Sequence, residues 1–486
     1  MALKTPEEYK ESLRKLAPNI YKFGESIEDV TAHPATKRSI EGHAQIFAAG
    51  LNPEYEDLAT TISLLTRERV SRYLAVPETA EDTIKVAKMK RLMFHLTGTC
   101  TGGRCVGGNA INGMWPTTYE MDQKLGTKYH QHLTKWLRNA QTSDIALAGA
   151  LNDAKGNRSK PASGQEDPDM YLHLVEKRGD GIVVRGAKTI ICGVAAANEI
   201  FVLPGAVFRE GENDYAISFV VPRDIDGLTI VELRHPSDTR ESEEGFDAPV
   251  TIGGISQAWL LFQDVFVPYE RVFMCGEIEF TAMALTNFLT SYLTTQGGCV
   301  AGLGDVMAGT AALMARTNGL STRVFNDKLT NLYINNETVF SAAIAATTLG
   351  KKHPSGAWIN DTLLANLTKT YSSTVPHANT YIVQDISGGI AELGCLPSSK
   401  DFYSPKHGHL VQKYLKAGSS AEARARAARM AEWLTIGVGV PGFIHGGGSP
   451  DIPRRMIRAY TNLEEYIGYA KRLAGIDEDI PESTKG

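Results

Sequence analysis

The chain has 486 residues, of which 43% are hydrophobic and 22% are charged, the composition of an ordinary soluble globular protein. Its net charge of −5 at pH 7 argues against a nucleic-acid-binding surface and against a basic membrane anchor. No uninterrupted apolar run approaches the ~20 residues needed to span a bilayer, and the polar start "MALKTPEEYKESLRKL" lacks the apolar core of a signal peptide. We therefore predict a cytoplasmic protein of two or three domains without nucleic-acid or membrane partners.

Three regions of different pattern follow one another. Residues 1–143 are mostly helical: "SIEDVTAHPATKRSIEGHAQIFAAG" has an Asp placed like an N-cap, and "TAEDTIKVAKMKRLMFHL" has acids early and bases late. Residues 144–275 contain short β-rich runs, including a predicted hairpin around "RGDG", and residues 276–486 return to long helical patterns. The predicted fold class is α+β, with an N-terminal helical domain, an antiparallel β domain and a C-terminal helical domain. We expect a ligand in the cleft between these layers.

The stretch "GTCTGGRC" at residues 98–105 raises the question of a metal site, because it holds two of the six cysteines. Six cysteines are too sparse for a disulfide framework, and free cysteines are most often buried packing residues. We apply this packing interpretation at least to Cys275 and Cys395. For Cys100 and Cys105 the alternatives are half of a metal site, the remnant of one, or a tight loop.

Nucleotide- and metal-binding motifs are missing from the sequence: it has no Walker motif, no G-x-G-x-x-G after a strand, no H-E-x-x-H and no paired C-x-x-C. Three loops rich in Gly or Ser stand in its C-terminal half, "QDISGGIAEL", "LPSSKDF" and "IHGGGSP". Each loop alone is more simply a helix-ending turn. Because consecutive glycines let backbone N–H groups approach a phosphate, the three together favour a pyrophosphate cofactor.

Landmarks along nearly the whole chain resemble the 4-hydroxyphenylacetate 3-hydroxylase/4-hydroxybutyryl-CoA dehydratase family. They are "YKESLRKLAPNIYKFGESIEDVTAHP", "TTYEMDQKLGTKYHQ", "VEKRGDGIVVRGAK", "DYAISFVVPRDIDGL", "QDISGGIAELGCLPSSKDF" and "HGGGSP". The resemblance implies an acyl-CoA dehydrogenase-like fold whose middle domain is a β-barrel and whose C-terminal domain is a four-helix bundle. It also implies FAD, held between the β domain and the bundle with help from a neighbouring subunit of a homotetramer.

The same resemblance implies a set of cofactor contacts. Cys192 stands where relatives usually carry a threonine near the flavin ring, and a thiol donates a weaker hydrogen bond than a hydroxyl, so contact with flavin N5 is expected to differ. The implied cofactor-binding residues are Asn152 and Arg158 in "ALNDAKGNRSKP", Cys192, the pyrophosphate-contacting Gln384, Gly388 and Gly389, and Gly447 and Ser449 in the last Gly-rich loop.

In the dehydratase branch of the family, three cysteines and one histidine hold a [4Fe–4S] cluster. Cys105 and Cys299 match two of the cysteines, but the third place is Thr101, with Cys100 one residue away, and the histidine's place is Tyr292. A phenol is a poor ligand for cluster iron. We therefore predict no metal and read "GTCTGGRC" as a remnant; if a cluster does bind, its ligands are Cys100, Cys105 and Cys299.

Groups that would transfer protons in the dehydratase branch are also replaced. Gln257 and Gln296 stand where an acid and a tyrosine are expected, and the acid expected shortly before His445 is absent. An amide cannot serve as the general base that deprotonates a carbon acid. These replacements argue against dehydration.

The hydroxylase branch uses Arg, Tyr and His around a phenolic substrate. Arg104 aligns with the arginine, and a guanidinium suits a phenolate or carboxylate; an arginine paired with a nearby acid is an equal alternative. The places of the tyrosine and the histidine are Gly108 and Gly149. Two glycines in place of bulky side chains are expected to widen the substrate pocket.

Three functions remain open. The main expectation is a two-component FAD-dependent monooxygenase, in which reduced flavin and O2 give a C4a-hydroperoxide that hydroxylates an aromatic or other electron-rich small molecule. A separate reductase would supply reduced flavin, because the chain shows no NAD(P)H-binding signal. The alternative is an FAD-dependent acyl-CoA dehydratase or isomerase with the cluster in doubt or absent and with His445 or Glu120 as the base; the third is a flavin-binding subunit without turnover. The candidate catalytic residues are Arg104, Cys192, Tyr292, Gln296 and His445.

Overall fold

A computed structural model describes residues 3–100, 102–235, 238, 243, 246–247, 256–392, 394–436, 443–478 and 480. The helices of the N-terminal part are α1 (Pro6–Arg14), α2 (Pro34–Leu51), α3 (Glu56–Ala59), α4 (Ala80–Thr97), α5 (Gly102–Leu125) and α6 (Tyr129–Thr142). The strands are β1 (Ile20–Lys22), β2 (Glu25–Ser26), β3 (Thr60–Ile62), β4 (Arg69–Ser71), β5 (Leu147–Ala150), β6 (His173–Lys177), β7 (Gly181–Cys192), β8 (Glu199–Val202), β9 (Ile217–Pro222), β10 (Leu228–Glu232), β11 (Gln257–Pro268), β12 (Val272–Cys275), β13 (Lys351–Lys352) and β14 (Trp358–Ile359). The helices of the C-terminal part are α7 (Thr281–Thr317), α8 (Asn326–Thr348), α9 (Thr362–Ser372), α10 (Val375–Ser387), α11 (Gly389–Glu392), α12 (Ser399–Phe402), α13 (Gly408–Leu415), α14 (Ala421–Thr435), α15 (Asp451–Tyr460) and α16 (Leu463–Ala474).

The starts of two N-terminal helices show how local chemistry sets their bounds. Helix α4 begins with a capping box in which Thr79 and Asp82 bond each other's backbone N–H, as its acid-rich first turn predicts. Helix α2 begins at Pro34, and the ring nitrogen of His33 accepts the Ala35 N–H at 3.2 Å. The prediction of an Asp N-cap for this helix is therefore wrong, because proline at the first helical position fixes a later start.

Most strands of the middle region form two sheets, with the orders β2-β1-β10-β11-β7-β6 and β12-β9-β8-β5. Strands β6 and β7 pair antiparallel, which confirms the hairpin around "RGDG". The β1–β10 and β5–β8 pairs are parallel, so the region is not purely antiparallel. The sheets share one apolar core, in which Phe219 and Phe262 meet edge to face at 6.1 Å. The described strands thus pair as two facing sheets, and the implied closed barrel is not confirmed.

Helix α7, 37 residues long, is the central helix of the C-terminal part. Two of its glycines lie one turn apart against α4: a Cβ at Gly298 would lie 2.1 Å from the carbonyl oxygen of Ala87, and one at Gly302 would lie 2.5 Å from that of Arg91. Only glycine permits this approach of two helix backbones. The segment Ile278–Thr317 is long and apolar enough to span a membrane by length and composition, but 72% of its apolar window is buried inside the protein, as in a core helix.

The two glycines expected to widen a substrate pocket are packing contacts. A Cβ at Gly108 on α5 would lie 2.5 Å from the carbonyl oxygen of Tyr73, and one at Gly149 on β5 would lie 2.7 Å from the Val106 side chain. Backbone and side-chain atoms already fill the space that larger side chains would take. The expected wider pocket at these positions is therefore wrong.

Glu232, at the end of β10, is a carboxyl buried inside the β domain, with 3% of its surface exposed. Burial raises its pKa from 4.5 to about 7, against the opposing effect of the Lys22 ammonium. The folded state therefore binds the proton more tightly than the unfolded chain, so the free energy of unfolding falls as pH rises from 4.5 to 7, by about 3 kcal/mol at most. At pH values above 7, we expect Glu232→Gln to raise the urea concentration at the midpoint of unfolding. At pH values below 4.5, we expect the same variant to change that midpoint little.

The matched control for this prediction is Glu28→Gln, which changes an exposed carboxyl of the same charge. Urea titrations of both variants at the two pH values separate burial of a charge from loss of a surface charge. An equal effect of Glu232→Gln at both pH values would show that Glu232 has the same pKa folded and unfolded.

Candidate active site

Four cysteines surround one tyrosine at the contact of α5, α7 and β7. Burial, and then the neighbouring thiols, raise the pKa of Tyr292 well above its ordinary value; these thiols belong to Cys105, Cys192, Cys100 and Cys299. Tyr292, Cys192 and Cys100 are partly buried, whereas Cys105 and Cys299 are buried. The structure thus brings both cysteines of "GTCTGGRC" together with Cys299 and Tyr292. We call Cys100, Cys105 and Cys299 the thiol compartment.

A lysine that the sequence did not single out lies in the thiol compartment. Lys90 on α4 is only 2% exposed, and its Nζ donates to the hydroxyl of Thr295 on α7 at 2.5 Å. The side chains of Cys105, Cys299 and Cys100 lie close enough to influence its charge. Burial acts to lower the pKa of Lys90, but the Cys105 and Cys299 sulfurs act in the opposite direction and the pKa is raised. A buried lysine therefore lies beside the thiols, with the Thr295 hydroxyl as its hydrogen-bond acceptor among the described contacts.

Cys192 ends β7 opposite Gln257, the first residue of β11. The Gln257 amide donates to the Cys192 sulfur at 3.6 Å. Burial raises the pKa of Cys192 to about 11, so at neutral pH it is a thiol. At the predicted flavin contact the side chain is therefore a neutral thiol that accepts a hydrogen bond from an amide. Position 257 carries no carboxylate.

The loop that carries His445 lies over Tyr292. Lys369 on α9 is completely buried, and its Nζ donates to the carbonyl oxygens of Phe443 at 2.6 Å and Ile444 at 3.1 Å. Burial lowers the pKa of Lys369 to about 8. A Cβ at Gly447 would lie 2.9 Å from the Tyr292 ring, so glycine lets the loop press against α7. Lys369 and Gly447 together fix the loop beside the tyrosine.

Two more predicted catalytic residues meet at this loop. The Gln296 amide donates to the carbonyl oxygen of Gly446 at 3.5 Å, and its buried Oε1 has no hydrogen-bond donor in the described part of the chain. His445 is exposed in the loop. The Ser449 hydroxyl accepts the Asp451 N–H at 3.4 Å, at the start of α15. The backbone of the loop that carries His445 thus contacts Gln296 and lies against Tyr292.

The guanidinium of Arg104 is held by an ion pair and not by this group of residues. Its guanidinium bonds Asp144 at 2.6 Å and the Ile145 carbonyl oxygen at 3.1 Å, and it lies 4.1 Å from the centre of the Phe47 ring. Only 2% of Arg104 is exposed. These contacts favour the paired-arginine alternative over a substrate contact, because Nη2 of the guanidinium is bonded to Asp144 and Ile145.

The predicted flavin loop after β5 is anchored at its base. A buried ion pair joins Lys188 to Asp153 at 2.8 Å, and the Thr189 N–H donates to the Asn152 carbonyl oxygen at 2.8 Å. The side chains of Asn152 and Arg158 are exposed. The loop is thus fixed to the strand that ends at Cys192 and leaves both side chains free to meet a ligand.

The predicted pyrophosphate contacts lie at the end of α10. Gly388 ends this helix with φ +73°, and a Cβ placed on Gly388 or Gly389 would meet no atom within 4 Å. Gln384 lies one turn earlier and is half-buried. Within the described residues no hydrogen bond or ion pair joins this group to Cys192 or Tyr292. An open pair of glycines with a partly exposed amide fits a phosphate-bearing cofactor such as FAD.

An iron–sulfur cluster does not fit the thiol compartment. Thr101 lies outside the described residues, the fourth ligand position is the phenol of Tyr292, and the Lys90 side chain is buried beside the thiols. Among the described residues, no three or more His, Cys, Asp or Glu side chains are placed to hold a metal ion. A cluster needs thiolate or imidazole ligands around its irons, and the compartment offers an ammonium and a phenol beside its thiols.

Three other predictions are settled by burial and ion pairs. Glu120 is bound to Lys124 at 3.1 Å and lies 3.5 Å from the His353 ring, so it is less free to act as a base than His445. Cys275 is buried, in agreement with the packing interpretation. Cys395 is exposed, so that interpretation is wrong for it.

Known proteins with similar sequences or structures cover the whole chain. Residues 5–274 match the family model described as the 4-hydroxyphenylacetate 3-hydroxylase N terminal, and residues 281–475 match the corresponding C terminal. The bifunctional 4-hydroxybutyryl-CoA dehydratase/vinylacetyl-CoA-Δ-isomerase of Clostridium aminobutyricum is 37% identical over 98% of this chain and 100% of its own. These matches confirm the family that the sequence landmarks indicate.

Two solved structures share the fold. The oxygen-tolerant archaeal 4-hydroxybutyryl-CoA dehydratase from N. maritimus is 35% identical, covers 100% of this chain and 97% of its own, and superposes with a TM-score of 0.94. The oxygenase component of 4-hydroxyphenylacetate 3-monooxygenase, in complex with FAD and 4-hydroxyphenylacetate, is 24% identical over 97% of this chain and 98% of its own, with a TM-score of 0.85. The mixed helix-and-sheet fold class is confirmed, and the FAD complex agrees with the predicted cofactor.

Proposed function

Because the chain belongs to the 4-hydroxyphenylacetate 3-hydroxylase family, we propose that it is an FAD-dependent enzyme that isomerises a short unsaturated acyl-CoA thioester without an iron–sulfur cluster. The reaction class follows the relatives that are 37% and 35% identical, both acyl-CoA dehydratases, one of them also an isomerase. The monooxygenase that the sequence first suggested has support only at the level of the family.

We prefer isomerisation to hydroxylation because, at all three positions that would contact a phenol in the hydroxylase branch, this chain makes internal packing contacts. Arg104 is paired with Asp144, and the backbones at Gly108 and Gly149 are pressed against neighbouring atoms. No side chain at these positions is free to contact a phenol. Isomerisation needs a base that moves a proton and a donor to the enolate oxygen. The loop would supply the base, His445, and helix α7 would supply the donor, Tyr292.

The proton steps follow from the arrangement of the loop. His445 takes a proton from the α-carbon of a β,γ-unsaturated thioester, exchanges it with solvent at its exposed ring, and donates a proton to the γ-carbon, so the double bond moves and no electron is lost. The phenol of Tyr292, whose pKa burial keeps well above its ordinary value, stays protonated and donates to the enolate oxygen. Lys369 holds the loop that presents His445. FAD, when bound, supplies an electron-accepting ring.

The cofactor contacts and the assembly remain part of this proposal. Asn152, Arg158 and Cys192 would meet the flavin end of FAD, and Gln384, Gly388 and Gly389 would meet its pyrophosphate. The homotetramer that the family resemblance implies, in which a neighbouring subunit helps to hold FAD, belongs to the proposal. A cytoplasmic location belongs to the proposal as well. The proposed reaction needs no separate reductase.

The experiment compares two reactions of the same FAD-loaded protein. We expect conversion of vinylacetyl-CoA into the conjugated thioester, measured by ultraviolet absorbance, with equal rates in air and under nitrogen. We expect no oxygen-dependent hydroxylation of 4-hydroxyphenylacetate when a flavin reductase is added. Hydroxylation without double-bond movement would establish the monooxygenase instead.

A further inference from the structure

Helix α16 carries a signal at each end that specifies a helix, yet it buries none of its 12 residues. The Asn462 side chain caps its start by accepting the Glu465 N–H at 3.3 Å, and Gly475 ends it in the left-handed conformation with φ +67°. Isolated helices of this length are marginal in water, because most helical stability in proteins comes from the packing of an apolar face. The helix therefore needs a covering surface that the described residues of one chain do not supply.

The face of α16 that needs covering is an apolar stripe. Leu463, Tyr466, Ala470 and Leu473 follow one another at steps of three, four and three residues, which places them on one side of a helix. We call these four residues the α16 stripe. The exposed fractions are 63% for Leu463, 55% for Tyr466 and 89% for Leu473, and Tyr469 at the edge of the stripe is 45% exposed.

The area of this face is large enough to hold two proteins together. At the exposed fractions given above, the stripe and Tyr469 present about 500 Å² on each copy, so a pair buries about 1,000 Å² in total. A specific interface between proteins begins at about this area. A lone exposed leucine needs no explanation, but a continuous apolar face of this size marks an interaction surface.

The stripe is complementary to a second copy of itself. When two copies of α16 pack antiparallel, Leu463 of each copy lies against Leu473 of the other. The large Tyr466 of each copy then lies against the small Ala470 of the other, so that bulk meets space on both sides. The arrangement has two-fold symmetry, and it therefore closes at two copies without leaving either stripe uncovered.

The order of charges along α16 selects the antiparallel direction. Acidic residues stand in its first turn and basic residues in its last turn; they are Glu464, Glu465, Lys471 and Arg472. An antiparallel pair brings the acidic start of each helix to the level of the basic end of the other, whereas a parallel pair would place like charges side by side. The stripe thus supplies the area of the contact, and the charges supply its direction.

We propose that α16 is a docking helix for a second copy of this chain, and that the contact is an antiparallel α16–α16 pair formed by the stripe. The family resemblance implies a homotetramer without saying which surface joins its subunits. The present inference assigns one helix, one set of residues and one direction. It goes beyond the proposed function and does not rest on it, because mass and cross-linking are measured without any turnover.

The first experiment is sedimentation equilibrium of the full FAD-loaded protein at micromolar concentration. We expect wild type to be an assembly and Leu473→Glu to have half its mass, because a carboxylate in the stripe would be buried without a partner. The helix content by circular dichroism should stay unchanged, since Leu473 is exposed within one chain. The matched control is Gly468→Glu, which puts the same group on the opposite face, where an added Cβ meets no atom within 4 Å, and it should keep the wild-type mass.

The second experiment tests the direction of the pair by cross-linking. It uses Cys395→Ser as the background, because Cys395 is an exposed thiol. Tyr466→Cys and Ala470→Cys introduced together should give a covalent dimer under mild oxidation, whereas Gly468→Cys should leave single chains. A monomeric wild type, a Leu473→Glu assembly of wild-type mass, or a 466/470 cysteine pair that cross-links no better than Gly468→Cys would each overturn the proposal.

Discussion

Replacement of Arg104 by Met is expected to lower the free energy of unfolding by about 3–5 kcal/mol. The guanidinium is the buried partner of Asp144, whose side chain is only 4% exposed, so the variant leaves a carboxylate without its cation inside the protein. The lost contact of the guanidinium with the Phe47 ring adds to the cost. The measurement is the shift of the urea midpoint at neutral pH, with the flavin content recorded at each denaturant concentration.

The matched control is Lys124→Met on the same helix. Lys124 pairs with Glu120 but is 59% exposed, so its loss is expected to cost less than about 1 kcal/mol. Asp144→Asn added to Arg104→Met should recover part of the stability, because the unpaired charge is removed. If Arg104→Met has the free energy of unfolding of the wild type but a higher KM, Arg104 contacts the substrate instead.

Replacement of His445 by Gln is expected to slow double-bond isomerisation about 100-fold or more, the contribution typical of a general base. His445 is exposed on a loop that Lys369 and Gly447 hold against Tyr292, and glutamine keeps hydrogen bonding without accepting a proton from carbon. Because the fold does not depend on an exposed side chain, flavin content and thermal stability should be unchanged. The measurement is kcat with vinylacetyl-CoA across a range of pH.

His409→Gln provides the control, since it removes an exposed histidine elsewhere in the C-terminal part. It should leave kcat and its pH profile as in the wild type, and added imidazole should restore part of the rate to His445→Gln only. If His445→Gln keeps the wild-type pH profile and most of its turnover, the base must be another group.

The order of helices and strands could be predicted because its signals are local. The capping box at Thr79 and Asp82 and the turn residues of "RGDG" act within a few positions of the sequence. The start of α2 was misplaced because Asp29 and Pro34 both fit a helix start, and the bonds that choose between them are visible only in three dimensions. The closed barrel was inferred from the family alone, and strand pairing is not a local property.

The candidate site could be predicted only in part, for the same physical reason. Tyr292, Gln296 and His445 were found because family motifs mark them. The sequence does not single out Lys90 or Lys369, because lysines are usually surface residues and only the packing of a second element buries these two. The glycines one turn apart on α7, Gly298 and Gly302, were the one available sign that α4 comes close. Arg104 was ambiguous because its partner Asp144 is forty positions away.

The most direct test of the account is proton exchange by the iron-free, FAD-loaded protein in deuterated water, followed by NMR of vinylacetyl-CoA. The account predicts deuterium at the α- and γ-carbons together with the conjugated thioester, at a rate that does not depend on added iron or oxygen. Absence of exchange at both carbons, or exchange only after iron and sulfide are restored, would contradict an isomerase that works by acid–base chemistry alone.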